Sequence, residues 1–262
     1  MDLSVHEDML SNVPLSVKFE RARDAGFDGI DLRGDLLTRR VDVIRRLSEQ
    51  TGIRTSSIYS RLGISLVSRN IDIRREAMSI LRHRIRDTHQ VGATKLIVVP
   101  IFGAPQITVQ RENGIRDIEL SLLLVLLDEL SEYADRYDVD VVLEPLNRDE
   151  THLLTSPSET ATLCERIGNG RVKTMVDFYH IDRNGQELVE EIEGAKESLA
   201  LIHLSNRNRK LPGPVGVNFR SGIECLKRIG YNGLLGFECS GPFTVDELRA
   251  SNSWVRKLLS GV

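Results

Sequence analysis

The chain has 262 residues, enough to bury a substantial hydrophobic core in one large domain or two small ones. Its composition is ordinary for a globular protein, and a formal net charge of −3 gives no reason to expect nucleic acid or an anionic membrane as a partner. The sequence has no signal-peptide pattern and no apolar run of membrane-spanning length, and its three cysteines are scattered. We therefore expect a cytoplasmic protein without a disulfide framework.

Short apolar strands alternate with amphipathic helices along the whole chain. Leu15, Phe19 and Ala22 recur at the spacing of one helical face, and Gly26 follows where that helix would end. The predicted strands are 3–6, 27–32, 54–59, 95–100, 141–143, 172–176, 200–202 and 234–237. The predicted helices are 15–25, 41–50, 72–90 with Asp72 as its cap, 115–137, 158–167 opened by Ser158, 186–199, 219–229 and 245–259.

The strand–helix unit repeats eight times, and no linker or low-complexity segment interrupts it. Such alternation predicts parallel strands joined by helical crossovers. Eight units in a chain of this length predict an α/β fold, a single-domain (β/α)8 TIM barrel over residues 1–262. The rival is an open, doubly wound sheet, which is disfavoured because no Gly-rich dinucleotide loop follows the first strand.

Four consecutive predicted strands end on side chains that bind divalent metals. These are Glu144, Asp177, His203 and Glu238. Since every barrel strand presents its C-terminal end at the same face, we expect the four side chains to meet there. Three carboxylates and one His favour Mn²⁺, with Mg²⁺ or Co²⁺ as alternatives, over a structural Zn²⁺ site. A single Glu after a strand is more often a helix cap than a metal ligand. Helix capping poorly explains four consecutive strands that all end on metal-binding side chains.

Two further features concern the same face. Pro145 cannot donate to a sheet ladder, so the fifth strand should stop just before it and leave Glu144 at the strand end. His6 ends the first strand and is a candidate substrate-binding residue at the mouth, although simple packing explains it equally well.

Five segments carry a family resemblance. They are Ala25-Gly26-Phe27-Asp28-Gly29-Ile30-Asp31-Leu32, Leu143-Glu144-Pro145-Leu146-Asn147-Arg148 with Glu150, Val176-Asp177-Phe178-Tyr179-His180, Ile202-His203 with Asn208-Arg209-Lys210-Leu211-Pro212-Gly213, and Tyr231-Asn232-Gly233 up to Glu238. Together they resemble the sugar epimerase and isomerase branch of the xylose isomerase-like barrels. The ketose 3-epimerases, such as tagatose and psicose 3-epimerase, are the most similar group. The resemblance spans nearly the whole chain and is most specific in its C-terminal half.

The resemblance implies roles for individual side chains. It makes Glu144, Asp177, His203 and Glu238 the metal ligands. It also implies that His180 and Arg209 contact substrate oxygens and that Glu150 contacts a terminal hydroxyl. The implied reaction is C3 epimerisation of a ketose or related sugar through a cis-enediolate. Glu144 and Glu238 come from strands three apart in the ring, so they can flank the substrate, one removing a proton and the other returning it to the opposite face.

Several alternatives remain open at this point. Aldose–ketose isomerisation and metal-assisted lyase chemistry on a modified sugar begin with the same proton removal. A non-catalytic sugar-binding subunit and a phosphodiester hydrolase lie outside that chemistry, and the predicted ends of strands two to four carry none of the extra His ligands that the hydrolases use. A phosphorylated substrate is also open, because Arg207, Arg209 and Lys210 could supply charge after strand seven. The expected partner is a small sugar, and a homo-oligomer is possible.

Overall fold

The computed structural model describes residues 1–107 and 114–261. Eight parallel strands hydrogen-bond in chain order and close into a barrel. They are β1 (Asp2–His6), β2 (Gly29–Arg33), β3 (Arg54–Tyr59), β4 (Lys95–Val98), β5 (Asp140–Leu143), β6 (Val172–Asp177), β7 (Leu199–Leu204) and β8 (Leu234–Phe237). The predicted (β/α)8 barrel is confirmed, and the doubly wound alternative is wrong because β8 pairs with β1.

Nine α-helices lie in the described ranges and surround the barrel. They are α1 (Leu15–Asp24), α2 (Val41–Thr51), α3 (Ile71–Gln90), α4 (Ile115–Asp135), α5 (Pro157–Ile167), α6 (Phe178–Asn184), α7 (Leu188–Ala195), α8 (Phe219–Arg228) and α9 (Val245–Ser260). Short 3-10 helices follow three strands at Glu7–Leu10, Gly34–Arg39 and Arg207–Arg209. None of the helices in the described ranges combines the length and the apolar character that crossing a membrane requires.

The helix predicted at 186–199 is present but shorter, because only α7 forms within that range, and the prediction lacks the short helix α6 that precedes it. Helix α6 begins directly after β6 and ends at Asn184, and Gly185 follows with a left-handed backbone (φ 66°) that favours glycine. Helix α7 then ends at Ala195, and Leu199 already belongs to β7. The cap predicted for α3 is also displaced, because Asn70 rather than Asp72 accepts the hydrogen bond from the first turn. Similarly, Ser156 rather than Ser158 caps α5.

Side-chain alternation along the strands creates two apolar layers. The larger layer lies between the sheet and the helices, and it includes Leu96, Val98, Leu143 and Val176. A smaller layer fills the inside of the barrel with residues from β4 to β8: Ile97, Val142, Met175, Leu201 and Leu234. Because side chains alternate with a period of two, the residues two positions further along these strands also face inward, at the C-terminal mouth.

The barrel interior has a different character between β1 and β3. Asp31 is buried there, and its two carboxylate oxygens accept hydrogen bonds from Ser4 Oγ (2.6 Å) and Ser57 Oγ (2.8 Å). Gly236 of β8 lies where this polar part of the interior meets the apolar part. A Cβ on Gly236 would lie 3.0 Å from Asp31 Oδ2 and 3.1 Å from His203 Cδ2, so only glycine fits this close approach without displacing a neighbour.

Candidate metal and substrate site

The four predicted ligand residues meet at the C-terminal mouth of the barrel. Glu144, Asp177 and His203 follow the interior residues Val142, Met175 and Leu201 by two positions, so alternation points them inward. One potential ligand atom from each of these three residues and from Glu238 lies within 4.8 Å of the other three. Glu144, Asp177 and His203 are buried, and the Glu238 side chain is partly exposed. This cluster is a possible metal-binding site.

Local backbone chemistry orients two of the carboxylates. Strand β5 ends at Leu143, directly before Glu144 and Pro145, as the missing N–H of proline requires. Asp177 is the N-cap of α6, and its Oδ1 accepts a hydrogen bond of 2.9 Å from the Tyr179 amide. The other oxygen of Asp177, Oδ2, therefore faces the cluster.

The environment of His203 fits a metal ligand. Both of its ring nitrogens are buried and make no hydrogen bond within the described ranges. Nδ1 lies 3.2 Å from Glu238 Oε2 and 3.6 Å from Glu144 Oε1, so the ring stands between the two glutamates. A buried imidazole without a hydrogen-bond partner is costly unless another group takes up a nitrogen lone pair. A divalent cation held by three carboxylates and this imidazole satisfies the requirement.

Burial and mutual charge displace the pKa values of the cluster. Burial, together with the nearby charge of Glu238, raises the pKa of Glu144, and burial likewise raises that of Asp177. Burial would also raise the pKa of Glu238, but the charges of Arg209 and His203 outweigh it and hold that pKa well below its usual range. Burial opposes the protonation of His203, yet the carboxylates, Glu238 first, raise its pKa well above the ordinary value. The repulsion between Glu144 and Glu238 and the raised pKa of His203 both indicate a site that favours positive charge.

Arg209 and His180 lie beside the cluster, where the resemblance implied substrate contacts. Arg209 Nη1 contacts Asp177 Oδ2 at 2.5 Å and Glu238 Oε2 at 2.9 Å, and Nη2 lies 2.8 Å from His180 Nε2. The guanidinium also stacks over the Tyr179 ring at 4.3 Å. Burial, followed by the charge of Arg209, lowers the pKa of His180 to about 4, so that ring is neutral near pH 7.

Glu150 is connected to this group through Asn147. The amide Nδ2 of Asn147 donates to Glu150 Oε1 at 2.6 Å, and its backbone N–H donates to His180 Nδ1 at 3.0 Å. The structure therefore brings Glu150, His180 and Arg209 into one chain of contacts. Asn147 was quoted in the sequence motif without a role. The signal that could have identified it is its place three residues after Glu144, on the loop that β5 delivers to the mouth.

A cavity of about 260 Å³ opens beside Glu144 and Glu238 toward the β1–β4 side of the mouth. His6 lines it and stacks on Tyr59, with ring centroids 3.7 Å apart. Burial lowers the pKa of His6, and this effect outweighs the charge of Glu238, which would raise that pKa. The remaining lining residues are Asp8, Ser60, Arg61, Leu62, Ile97, Val99 and Phe102. Tyr59 and Phe102 have no ligand-type side chain, so the sequence offered no signal for them.

The comparisons with known proteins agree with this geometry. Residues 19–258 match the family described as the xylose isomerase-like TIM barrel. The chain belongs to this family. The 3-dehydro-D-guloside 4-epimerase of Escherichia coli (strain K12) is 25% identical over 254 residues, which cover 91% of this chain and 93% of that protein. The D-psicose 3-epimerase of Enterocloster bolteae is 32% identical over 119 residues, which cover 45% of this chain and 38% of that protein.

Among solved structures, the apo form of 3-keto-D-glucoside 4-epimerase from E. coli matches with a TM-score of 0.88 at 21% identity. The match covers 98% of this chain and 99% of that one, and at this identity it shows the fold. The two named relatives are sugar epimerases, which supports the prediction of an enzyme of the isomerase and epimerase class.

Proposed function

We propose that the chain is a divalent-metal-dependent epimerase that inverts a sugar carbon next to a ketone, with C3 of a ketose as the first candidate. One observation carries the proposal. Glu144 and Glu238 border the same cavity and lie on either side of His203, within a cluster whose side chains suit Mn²⁺. An epimerase needs two such groups, because the proton leaves from one face of the carbon and returns to the other.

Each step of the proposed reaction is assigned to particular side chains. One glutamate accepts the proton from the carbon beside the ketone, which breaks the C–H bond and leaves a planar enediolate. The other glutamate, protonated, forms the new C–H bond on the opposite face, so the number of protons is conserved. A divalent cation, when bound by Glu144, Asp177, His203 and Glu238, supplies positive charge that stabilises negative charge on the substrate oxygens. His180, Arg209, Glu150 and His6 orient the sugar.

A second candidate is epimerisation at C4 of a sugar ring oxidised at C3. It is favoured by the 4-epimerase relative, which aligns with nearly all of this chain and whose name describes a 3-dehydro sugar. The two candidates share their chemistry, since in both the carbon that loses a proton is next to the ketone. They differ in which carbon must lie between the two glutamates.

We further propose that the substrate carries no phosphate. In phosphate-binding barrels, backbone N–H groups in the loops after strands seven and eight bind the phosphate. Here four of the N–H groups in these two loops already bond within the chain. Cys239 N donates to Met9 Sδ, Phe243 N to Met9 O, Ser240 N to Arg209 O and Asn206 N to Lys210 O.

The basic side chains in the same loops support an uncharged substrate as well. Arg207 is exposed and pairs with Asp182 at 3.0 Å, away from the cavity. The Lys210 residue is exposed. Neither Arg207 nor Lys210 lines the cavity between β1 and β4 that would receive the rest of the sugar, and Arg61, which does, pairs with Asp8 at 3.2 Å.

Proton exchange in D₂O tests the proposal. The Mn²⁺-loaded protein would be incubated with free ketoses, 3-keto glycosides, aldoses and sugar phosphates, and NMR would locate the deuterium. We expect deuterium at C3 of a free ketose, or at C4 of a 3-keto glycoside if the second candidate is right. Exchange at C1 or C2 would indicate an aldose–ketose isomerase, and loss of a hydroxyl group would indicate a lyase.

Matched variants connect the exchange to the two glutamates. Glu144→Gln and Glu238→Gln should each slow the exchange by at least ~1000-fold, because each removes a proton-transfer group. Glu165→Gln, on the exposed face of α5, should leave the rate unchanged. Exchange that survives in both site variants would overturn the assignment of the acid/base pair. A protein that binds Mn²⁺ yet exchanges no sugar would favour a binding subunit.

A further inference from the structure

Arg209 makes contacts that a bound metal would also require. Its Nη1 reaches Asp177 Oδ2 at 2.5 Å and Glu238 Oε2 at 2.9 Å. Both residues belong to the four-residue cluster, and the remaining oxygen of Asp177 already accepts the Tyr179 amide. The guanidinium and a cation bound by the cluster would therefore neutralise the same two carboxylates. Two cations close to the same pair of anions repel each other, so binding of one weakens binding of the other.

The Arg209 backbone is held firmly, which leaves its side chain as the part that can move. Asn208 and Arg209 both have left-handed backbone angles (φ 56° and 54°), an unusual conformation for residues other than glycine. The carbonyl of Arg209 accepts a hydrogen bond of 2.7 Å from Ser240 N, and the carbonyl of Lys210 accepts one of 2.8 Å from Asn206 N. Such a backbone conformation persists only where surrounding contacts enforce it.

The contact of Arg209 with His180 is unfavourable in this arrangement. The Asn147 backbone N–H donates to His180 Nδ1, so Nδ1 must carry a lone pair rather than a proton. The proton of the ring is therefore on Nε2. Arg209 Nη2, which can only donate, lies 2.8 Å from that Nε2. Two donors face each other where an acceptor oxygen would suit both.

We propose that Arg209 is an internal counter-cation that a divalent metal displaces from Asp177 and Glu238. The displaced guanidinium keeps the Tyr179 ring as its support, 4.3 Å away, and turns toward the substrate. His180 Nε2–H and Arg209 Nη2 then both become available to the same substrate oxygen. The metal thereby prepares the sugar site, so metal binding precedes productive sugar binding. This inference rests on the metal assignment in the proposed function.

Metal titration tests this inference without any activity measurement. Chelator-treated Arg209→Gln and wild-type protein would be titrated with Mn²⁺ by calorimetry, with Arg207→Gln as the matched control from the same loop. We expect Arg209→Gln to bind Mn²⁺ about tenfold more tightly, because the competing charge is gone. Without metal it should melt at a lower temperature than wild type, since Asp177 and Glu238 lose their counter-charge. Arg207→Gln, whose partner is Asp182, should bind Mn²⁺ like the wild type.

Two further measurements cover the case in which Arg209→Gln does not fold. Arg209→Lys keeps the positive charge and should bind Mn²⁺ as the wild type does. In ¹⁵N-labelled wild type, the Arg209 Nε–H signal, assigned by its loss in Arg209→Lys, should shift as diamagnetic Mg²⁺ saturates the site. Weaker Mn²⁺ binding by Arg209→Gln, or an Nε–H signal that does not move at saturation, would overturn the inference. A wild-type protein that binds no divalent metal would instead overturn the proposed function.

Discussion

The two halves of the barrel differ in what they present at the mouth and in what fills their interior. Strands β5 to β8 place three carboxylates and an imidazole at their ends, above a layer of apolar side chains. Strands β1 to β3 contain Asp31 with two serine hydroxyls in their interior, and His6 and Tyr59 stack at their mouth. The fold is the same in both halves, so the difference lies in the residues that alternate inward.

This difference suggests a division of labour. The β5–β8 half concentrates negative charge, as a metal site requires, because three of its four ligand residues are acidic. The cavity extends from Glu144 and Glu238 toward the β1–β4 half, whose walls are mainly aromatic and aliphatic. A sugar ring presents C–H groups as well as hydroxyls, so such walls can pack against the part of the sugar that does not react. We therefore expect substitutions of the four cluster residues in the β5–β8 half to affect metal binding, and those in the cavity wall of the β1–β4 half to affect sugar binding.

The largest effect should come from His203→Ala. The substitution removes a direct ligand from the cluster but breaks no hydrogen bond within the described ranges. Because loss of an outer-shell partner already costs a metal site about 10- to 100-fold in affinity, loss of His203 should cost at least ~100-fold in Mn²⁺ affinity by calorimetry. His83→Ala, on the exposed side of α3, is the control and should change nothing. Unchanged Mn²⁺ affinity in His203→Ala would contradict the assignment of metal binding to the β5–β8 half.

Gly236→Ala should perturb the contact between the two halves of the barrel. The added Cβ would lie 3.0 Å from Asp31 Oδ2 in one half and 3.1 Å from His203 Cδ2 in the other. Crowding of this kind costs about 1–3 kcal/mol of unfolding free energy, measured by urea denaturation, and displacement of His203 should weaken Mn²⁺ binding several-fold. Gly213→Ala is the matched control, because its Cβ would meet no atom within 4 Å. Equal stability of the two variants would show that the barrel tolerates movement at this contact.

The sequence predicts the β5–β8 half better than the β1–β4 half for a physical reason. Glu144, Asp177 and His203 end strands, and strand ends follow from local apolar runs and from Pro145. Parallel topology then brings the ends together without further information. The lining of the other half depends on which apolar side chains border a cavity, and an aromatic residue such as Tyr59 looks the same in a core as at a binding wall.

The sequence also does not predict the contacts between residues that follow different strands. The arrangement of Asn147, His180 and Arg209 joins the loop after β5, helix α6 and the 3-10 helix after β7, about 30 positions apart, and neither periodicity nor spacing encodes it. Helix α6 is absent from the sequence prediction for a related reason. Gly185 lies one residue before the predicted helix start, so the sequence pattern does not show that it follows the end of a separate short helix.

The smallest expected effect concerns Tyr59→Ala. This substitution also separates the roles of the two halves most clearly, because it should change sugar binding but not metal binding. The Tyr59 ring stacks on His6 at an interplanar angle of 26° and forms a wall of the cavity, while its hydroxyl makes no hydrogen bond within the described ranges. Tyr59→Ala should raise the KM for the sugar about fivefold, because an aromatic wall contributes about 1 kcal/mol beyond its buried area.

Mn²⁺ affinity should not change in Tyr59→Ala, since the ring is not among the four residues of the cluster. Tyr59→Phe keeps the wall and should retain the wild-type KM, because the hydroxyl has no partner in the described chain to lose. A KM in Tyr59→Phe as high as in Tyr59→Ala would mean that the hydroxyl itself binds the sugar. Loss of Mn²⁺ affinity in Tyr59→Ala would mean instead that the aromatic wall supports Glu238 through His6, which lies 3.9 Å from it, and that the two halves do not act separately.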